Sequence, residues 1–168
     1  MIIPIISTTN NITFIIGKKN LTQSEWKLNF LVKLIRGAWV PDALAQLKFS
    51  PKHKAVDVSN VVKRATSIAK TFHEIIPEEL YVKEVIVTKG QCQKRMRIMG
   101  RGRTGFGYKR RSHVLVKVSK IDFDKEISNA KTFSQKKKWL KRLDIVNKLK
   151  SKGPDELKIN TEVKQSSS

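Results

Sequence analysis

Between Lys89 and Arg111 the chain sets nine lysines and arginines and five of its eight glycines in a row that contains no carboxylate. No acid within the stretch neutralises it, and its glycines lose more conformational freedom on ordering than any other residue. Such a segment cannot enter a core, because a buried charge without a partner is prohibitively costly. It has to stand outside the fold and take its order from something anionic. The flanks show how it is held: Leu80 to Val87 (LYVKEVIV) and His113 to Ile121 (HVLVKVSKI) are rich in valine and isoleucine, and Val114, Val116 and Val118 alternate. Two such runs pair antiparallel and carry the basic segment as the outer part of a long hairpin. A bare two-stranded ribbon is at best marginally stable in water, so a partner is needed to order it.

The rest of the chain sharpens what that partner is. Over 168 residues, 35 Lys and Arg face 14 Asp and Glu, a net charge of +21, which makes the whole molecule seek polyanions. The length fits one domain with tails. A single cysteine, Cys92, excludes a disulfide scaffold, and His53, His73 and His113 do not complete a zinc site with it at ligand spacing. The longest apolar pieces, Ile2 to Ile6 and Ile12 to Ile16, are far shorter than the roughly 18 residues that span a bilayer. Lysine alone would suit a membrane surface equally well. The mixture of arginine, glycine, Phe106 and Tyr108 points instead to folded RNA, since guanidinium forks match phosphate oxygens and glycine lets another backbone come close. Phe106 and Tyr108 either meet the RNA or pack across the hairpin.

Helices precede the hairpin. Thr22 with Glu25 reads as a capping box, followed by Trp26, Phe30, Leu31, Leu34 and Ile35 at helical spacing and a stop at Gly37. Pro41 opens a second short helix through Ala43, Leu44 and Leu47 that ends near Phe49. Ser50 and Pro51 read as cap and first turn of a third helix, with Ala55, Val58, Val62, Ala65, Ala69 and Phe72 inward and Lys52, Lys54, Asp57, Asn60, Lys63, Arg64 and Lys70 outward. Lys52 and Lys54, near its start, are candidate phosphate contacts. Residues 1 to 21 hold neither acid nor arginine and read as an N-terminal extension or a targeting segment. From Phe133, the residues Leu140, Leu143, Val146 and Leu149 recur among Lys136, Lys137, Lys138, Lys141, Arg142 and Lys148, with Gly153-Pro154 as a stop. That is a basic amphipathic helix, able to dock on the domain, on a neighbouring protein or along a membrane, and the tail ending in Gln165 to Ser168 is too polar to fold alone.

Signals for catalysis are weak. Gly100 to Gly105 satisfies G-x-G-x-x-G, but a dinucleotide site needs a helix after the glycines and the chain here runs into a strand. Ser112 and His113 are neighbours in a strand and point to opposite faces, so they do not form a nucleophile and base. Cys92 beside Lys89 and Lys94 reads either as a thiolate of lowered pKa or, the preferred reading, as a small side chain packed in the ribbon. No enzymatic activity, cofactor, metal or small-molecule substrate is expected.

From Ser24 to about Val118 the order of motifs resembles the L twenty-two family of large-subunit ribosomal proteins, and in particular its mitochondrial branch. The pieces that carry the resemblance are Leu34 to Gly37 (LIRG), Asp42 to Leu47 (DALAQL), Phe49 to Lys52 (FSPK), Tyr81 to Val85 (YVKEV), Gly90 to Arg103 (GQCQKRMRIMGRGR) and Lys109 to Val118 (KRRSHVLVKV). The Gly90-Gln91-Cys92 triplet and Gly100 to Arg103 look more mitochondrial than bacterial. The resemblance implies an α+β fold in which three helices pack on a small antiparallel sheet, with a long protruding β-hairpin over 85–118; residues 1–21 and 122–168 have no clear counterpart in the family, and the basic helical extension over 122–168 is read from its own residues. It implies a ribosomal RNA-binding domain over 22–121 that contacts neighbouring large-subunit proteins, its hairpin threaded through RNA so that the tip lines the nascent-peptide exit tunnel. On that pattern Lys94, Arg95, Arg97, Arg101 and Arg103 would sit at or near the tip, contacting RNA or facing the tunnel. With Lys52, Lys54, Lys89, Lys109, Arg110 and Arg111, read from their charge and position, they are the RNA-binding candidates, and Arg97, Ile98, Met99, Gly100 and Arg101 are the candidates to line the tunnel beside the nascent polypeptide. Where the bacterial pattern has Pro-Arg-Ala, this chain has Ile98-Met99-Gly100. The implied location is the mitochondrial matrix, with a plastid or the bacterial cytoplasm as alternatives. A peripheral, basic membrane-binding protein is the competing reading.

Overall fold

The computed structural model describes residues 12–151 together with the backbone of residues 3–6. The chain divides into two units, one up to Lys120 and one from Ile121 onward. The first unit is built on a four-stranded antiparallel sheet of β1 (Ile3–Ile6), β2 (Ile12–Leu21), β3 (Leu80–Lys89) and β6 (Ser112–Lys120), in the order β1-β2-β6-β3. In β6 the alternation read from sequence holds: Val114, Val116 and Val118 are all buried. β3 buries Leu80, Val82 and then Val85. The step of three is a bulge between Val82 and Glu84, which leaves Lys83 unpaired and keeps both valines on the core face.

Helices α1 (Glu25–Ile35), α2 (Val40–Phe49) and α3 (Ala55–His73) cover that face, with α1 against β3, α3 against β2 and β6, and α2 between the two helices. The shared core contains Leu28, Leu31, Val32 and Ile35 of α1, Val40, Ala43 and Leu47 of α2, and Val58, Val62, Ala65 and Ala69 of α3. Gly37, at φ +73°, turns the chain after α1, a conformation that favours glycine. Its N–H donates to the Val82 carbonyl at 2.8 Å, and the Val82 N–H donates to the Ala38 carbonyl at 2.9 Å. Arg36 Nη2 donates to the Val85 carbonyl at 2.8 Å. These bonds fix the helices to the strand that leads into the basic segment.

Several local expectations are corrected. Ser24, not Thr22, precedes the first helical residue of α1, and Glu25 stands at the first position rather than the third, so no capping box forms. In α1 the buried stripe is Leu28, Leu31, Val32 and Ile35, while Trp26, Phe30 and Leu34 are 70%, 58% and 50% exposed. Seven of the eleven residues of α1 are apolar, more than one stripe can hold, so periodicity admits two faces and only the position of β3 selects one. Ser50 ends α2 instead of starting α3, because the residue before a proline is held extended, and α3 begins at Ala55. Its last expected inward residue, Phe72, is exposed. The largest correction is at the N-terminus: residues 12–21, set apart as part of an extension, form β2 and pair with β6 along most of their length.

In the second unit the single expected helix is a pair, α4 (Phe123–Asn129) and α5 (Phe133–Ser151). Phe123 meets Trp139 edge-on at 6.4 Å between ring centroids. The Arg142 guanidinium lies 4.8 Å over the same indole. Phe133, expected on the apolar stripe, is exposed, whereas Val146 is buried. The expected stop at Gly153-Pro154 and the polar tail lie outside the described residues. Among those residues no helix is long and apolar enough to cross a membrane.

Candidate nucleic-acid interface

Beyond the sheet the hairpin does not continue as one ribbon. The ladder of β3 and β6 ends at Lys89 opposite Ser112, and a separate two-stranded sheet of β4 (Gln93–Ile98) and β5 (Thr104–Lys109) begins at Gln93 opposite Lys109. Three residues on one arm face two on the other, so the strands shear into a joint. At its centre the Gly90 N–H donates to the Arg111 carbonyl at 2.8 Å. A Cβ on Gly90 would sit 3.0 Å from that carbonyl's carbon and oxygen, so the joint itself requires glycine. Cys92 lies exposed there and is not packed in the ribbon. Arg111 holds its Nε buried without a hydrogen-bond partner.

The register of β4 and β5 sorts their side chains. Residues directly opposite share a face, so Arg95 with Gly107, Arg97 with Gly105 and Gln93 with Lys109 form one face. Lys94 with Tyr108, Met96 with Phe106 and Ile98 with Thr104 form the other. The second face is apolar and open: Met96, Ile98, Phe106 and Tyr108 are between 59% and 80% exposed. Lys94 Nζ stands 4.7 Å over the Phe106 ring, so Phe106 packs within its own face and remains accessible. At the tip, Met99 N–H donates to the Arg103 carbonyl at 2.9 Å, and Arg101 and Gly102 adopt left-handed φ of 57° and 69°. The G-x-G-x-x-G run is thus this turn and the start of β5, with no helix to receive a nucleotide.

The candidate basic residues fall into two groups. Lys94, Arg95, Arg97, Arg101, Arg103, Lys109 and Arg110 are exposed on the ribbon. Lys54 and Lys89 are engaged within the body: Lys54 Nζ is 3.1 Å from Asp57 and Lys89 Nζ 3.8 Å from Glu25. Lys52 lies 4.5 Å over the exposed Phe30 ring. Lys18, which reaches Asp57 from β2 at 2.7 Å, is not foreshadowed in sequence, because the two residues lie 39 apart and meet only once β2 has joined the sheet. With Lys18 as the main cause and Lys54 adding to it, the Asp57 carboxyl is held below its ordinary range. Lys117, bonded at 2.7 Å, does the same for Glu84. Asp57 and Glu84 are thus matched to lysines of the body, and among the described residues no cation between Lys94 and Arg111 forms an ion pair. Ser112 Oγ donates to the Gln23 carbonyl, and His113 Nδ1 accepts from the Asn20 N–H, both at 2.9 Å, so both side chains serve the sheet.

Fold and ribbon together define a class of protein that acts through a charged, protruding surface. The chain matches the family model described as Ribosomal protein L22p/L17e over residues 16–119. It is 37% identical over 102 residues to the large ribosomal subunit protein uL22 of a Bradyrhizobium species, covering 61% of this chain and 81% of that relative. The protein of the same name from Heliobacterium modesticaldum is 38% identical over 101 residues, 60% of this chain and 72% of the relative. That from Lactobacillus delbrueckii subsp. bulgaricus is 38% identical over 96 residues, 57% and 82%. The chain belongs to this ribosomal protein family, as a structural, non-enzymatic constituent of the large ribosomal subunit. The match begins inside β2 and ends in β6, so α4 and α5 lie beyond it.

Proposed function

We propose that the ribbon is the RNA anchor of this protein, entering the folded large-subunit ribosomal RNA with its tip at the nascent-peptide exit tunnel while the helical body meets neighbouring large-subunit proteins. The observation that carries this reading is the segregation of charge: nine cations between Lys89 and Arg111 without an acid, seven of them exposed on the ribbon. Arg95, Arg97, Arg101, Arg103, Lys94, Lys109 and Arg110 contact RNA directly. Lys52 and Arg111 contribute at the base, and Lys54 and Lys89 do so by exchanging a carboxylate for a phosphate. Residues 97–101, Arg97 to Arg101, line the passage, where the exposed Ile98 and half-exposed Met99 meet the nascent chain as neutral, weakly adhesive groups. The membrane-surface alternative finds no support among relatives that are all proteins of the large ribosomal subunit.

The test is incorporation. Arg101→Glu together with Arg103→Glu lowers recovery of the protein in large-subunit particles by at least about tenfold, the loss of one or two charge-assisted contacts and their replacement by repulsion, while Lys131→Glu leaves it unchanged. Equal recovery of both variants refutes the ribbon as anchor. A photoreactive residue at Met99 crosslinks to nascent polypeptide in stalled ribosomes if the tip lines the tunnel.

The mitochondrial assignment rests on the Gly90-Gln91-Cys92 and Gly100 to Arg103 motifs, and residues 22–121 with the preceding β2 form the RNA-binding body. The relatives described above are bacterial, which favours a bacterial cytoplasmic ribosome as the second reading. Cofractionation with mitochondrial or with bacterial-type ribosomes separates the two.

A further inference from the structure

We propose that an RNA sugar–phosphate backbone runs along the face of Arg95, Arg97, Gly105, Gly107 and Lys109 and not along the opposite, largely apolar face, from which only the long Lys94 side chain reaches RNA. The proposal rests on the RNA reading above and adds which side of the ribbon the phosphates take.

Gly107 is the residue that points there, because nothing inside this chain asks for glycine at that position. Its φ is not in the left-handed region, where only Gly37 and Gly102 among the described glycines are found. A Cβ added to it would meet only the Arg95 carbonyl oxygen, at 3.7 Å, which is ordinary van der Waals contact. Alanine or a β-branched residue would therefore fit the strand and strengthen it. A glycine that weakens its strand without relieving a clash or a strained turn marks a place where another backbone comes close. Gly105, on the same face, is similar: the only tight contact of an added Cβ is the far end of the flexible Met99 side chain, at 2.6 Å to Cε. The joint glycine, Gly90, is different, since there the crowding is with this chain's own backbone.

What comes close is identified by the charges beside the bare strip. Arg95 stands opposite Gly107 and Arg97 opposite Gly105, with Lys109 two residues on. Arg95 thus lies across the ladder from a position that is open, leaving room for a phosphate beside the cation, whereas at Gly105 the flexible end of Met99 covers the strand and has to swing aside. Arginine binds phosphate oxygens in pairs, and the absence of acids over 89–111 leaves nothing on the strip to repel them. Met96, Ile98 and Phe106 cannot solvate a phosphate and are turned to the other side, where the cation, Lys94, lies over the Phe106 ring.

The experiment measures binding of the full chain to a transcript of the large-subunit ribosomal RNA at fixed salt, for the wild type, Gly107→Ala, Gly107→Val and Thr104→Phe, the last adding comparable bulk on the apolar face. Gly107→Val weakens binding by at least about tenfold, Gly107→Ala by a smaller factor, and Thr104→Phe by less than about twofold, because only the first two fill the space a backbone would occupy. Amide exchange of Gln93 to Lys109 in the Gly107→Ala chain is no faster than in the wild type, so its loss of binding is one of contact and not of folding. Wild-type binding by Gly107→Val, or equal weakening by Gly107→Val and Thr104→Phe, overturns the assignment of faces. Failure of the wild type to bind the transcript overturns the RNA reading itself.

Discussion

At Asp57 two ammonium groups from different elements converge on one carboxylate, Lys18 at 2.7 Å and Lys54 at 3.1 Å. The pair with Lys18 ties β2 to α3, and such partly exposed pairs contribute about 1 kcal/mol or less. Asp57→Asn therefore destabilises the body by up to about 1 kcal/mol at neutral pH, read from chemical denaturation. The sign with pH follows from the depressed carboxyl: the stabilisation is fully present above its ordinary value of 3.8 and is lost as pH falls from there through the lower folded value. The curves of wild type and variant converge on acidification; a difference that persists in strong acid would show that the pair is not its source. Lys54 illustrates a limit of reading residues singly. In sequence it is one more cation near a helix start, and only the strand carrying Lys18 reveals the carboxylate it shares.

Among the elements, the two halves of the hairpin differ in what holds them. β3 and β6 have β2 beside them and three helices over their buried valines. β4 and β5 have only each other, six cross-strand pairs closed by the Met99 to Arg103 turn. Opening free energies follow such support. Amide exchange of the isolated chain will be slowest for Val116 and Val85 and fastest, by orders of magnitude, for Arg95 to Arg97 and Phe106. Added ribosomal RNA slows the second group selectively. Ribbon amides as protected as those of β6 without RNA would contradict an order supplied by the partner. The hairpin was legible because its strands alternate with period two, which a chain can display locally. Its joint was not, because the three-against-two mismatch between Lys89 and Gln93 on one arm and Lys109 and Ser112 on the other exists only once a register is set. The face of α1 is the same kind of case, two apolar stripes from which β3 chooses.

For the whole molecule the controlling quantity is charge. If roughly six to nine phosphates are neutralised, the affinity for ribosomal RNA falls with salt at a log-log slope of about −4 to −8. A nearly flat response would leave the ribbon without an electrostatic role. Read alone, the sequence determined the class of fold, the three core helices, the existence and charge of the hairpin, and the family, because each is written in local patterns: helical or twofold periodicity, proline and glycine punctuation, and the absence of acids over 89–111. Tertiary structure alone decided that residues 12–21 are an inner strand of the sheet, which stripe of α1 is buried, where the hairpin bends, and which of its faces is bare. All four depend on which segments lie side by side, and pairing between segments about a hundred residues apart, such as Phe14 with Val118, leaves no mark on either segment taken by itself.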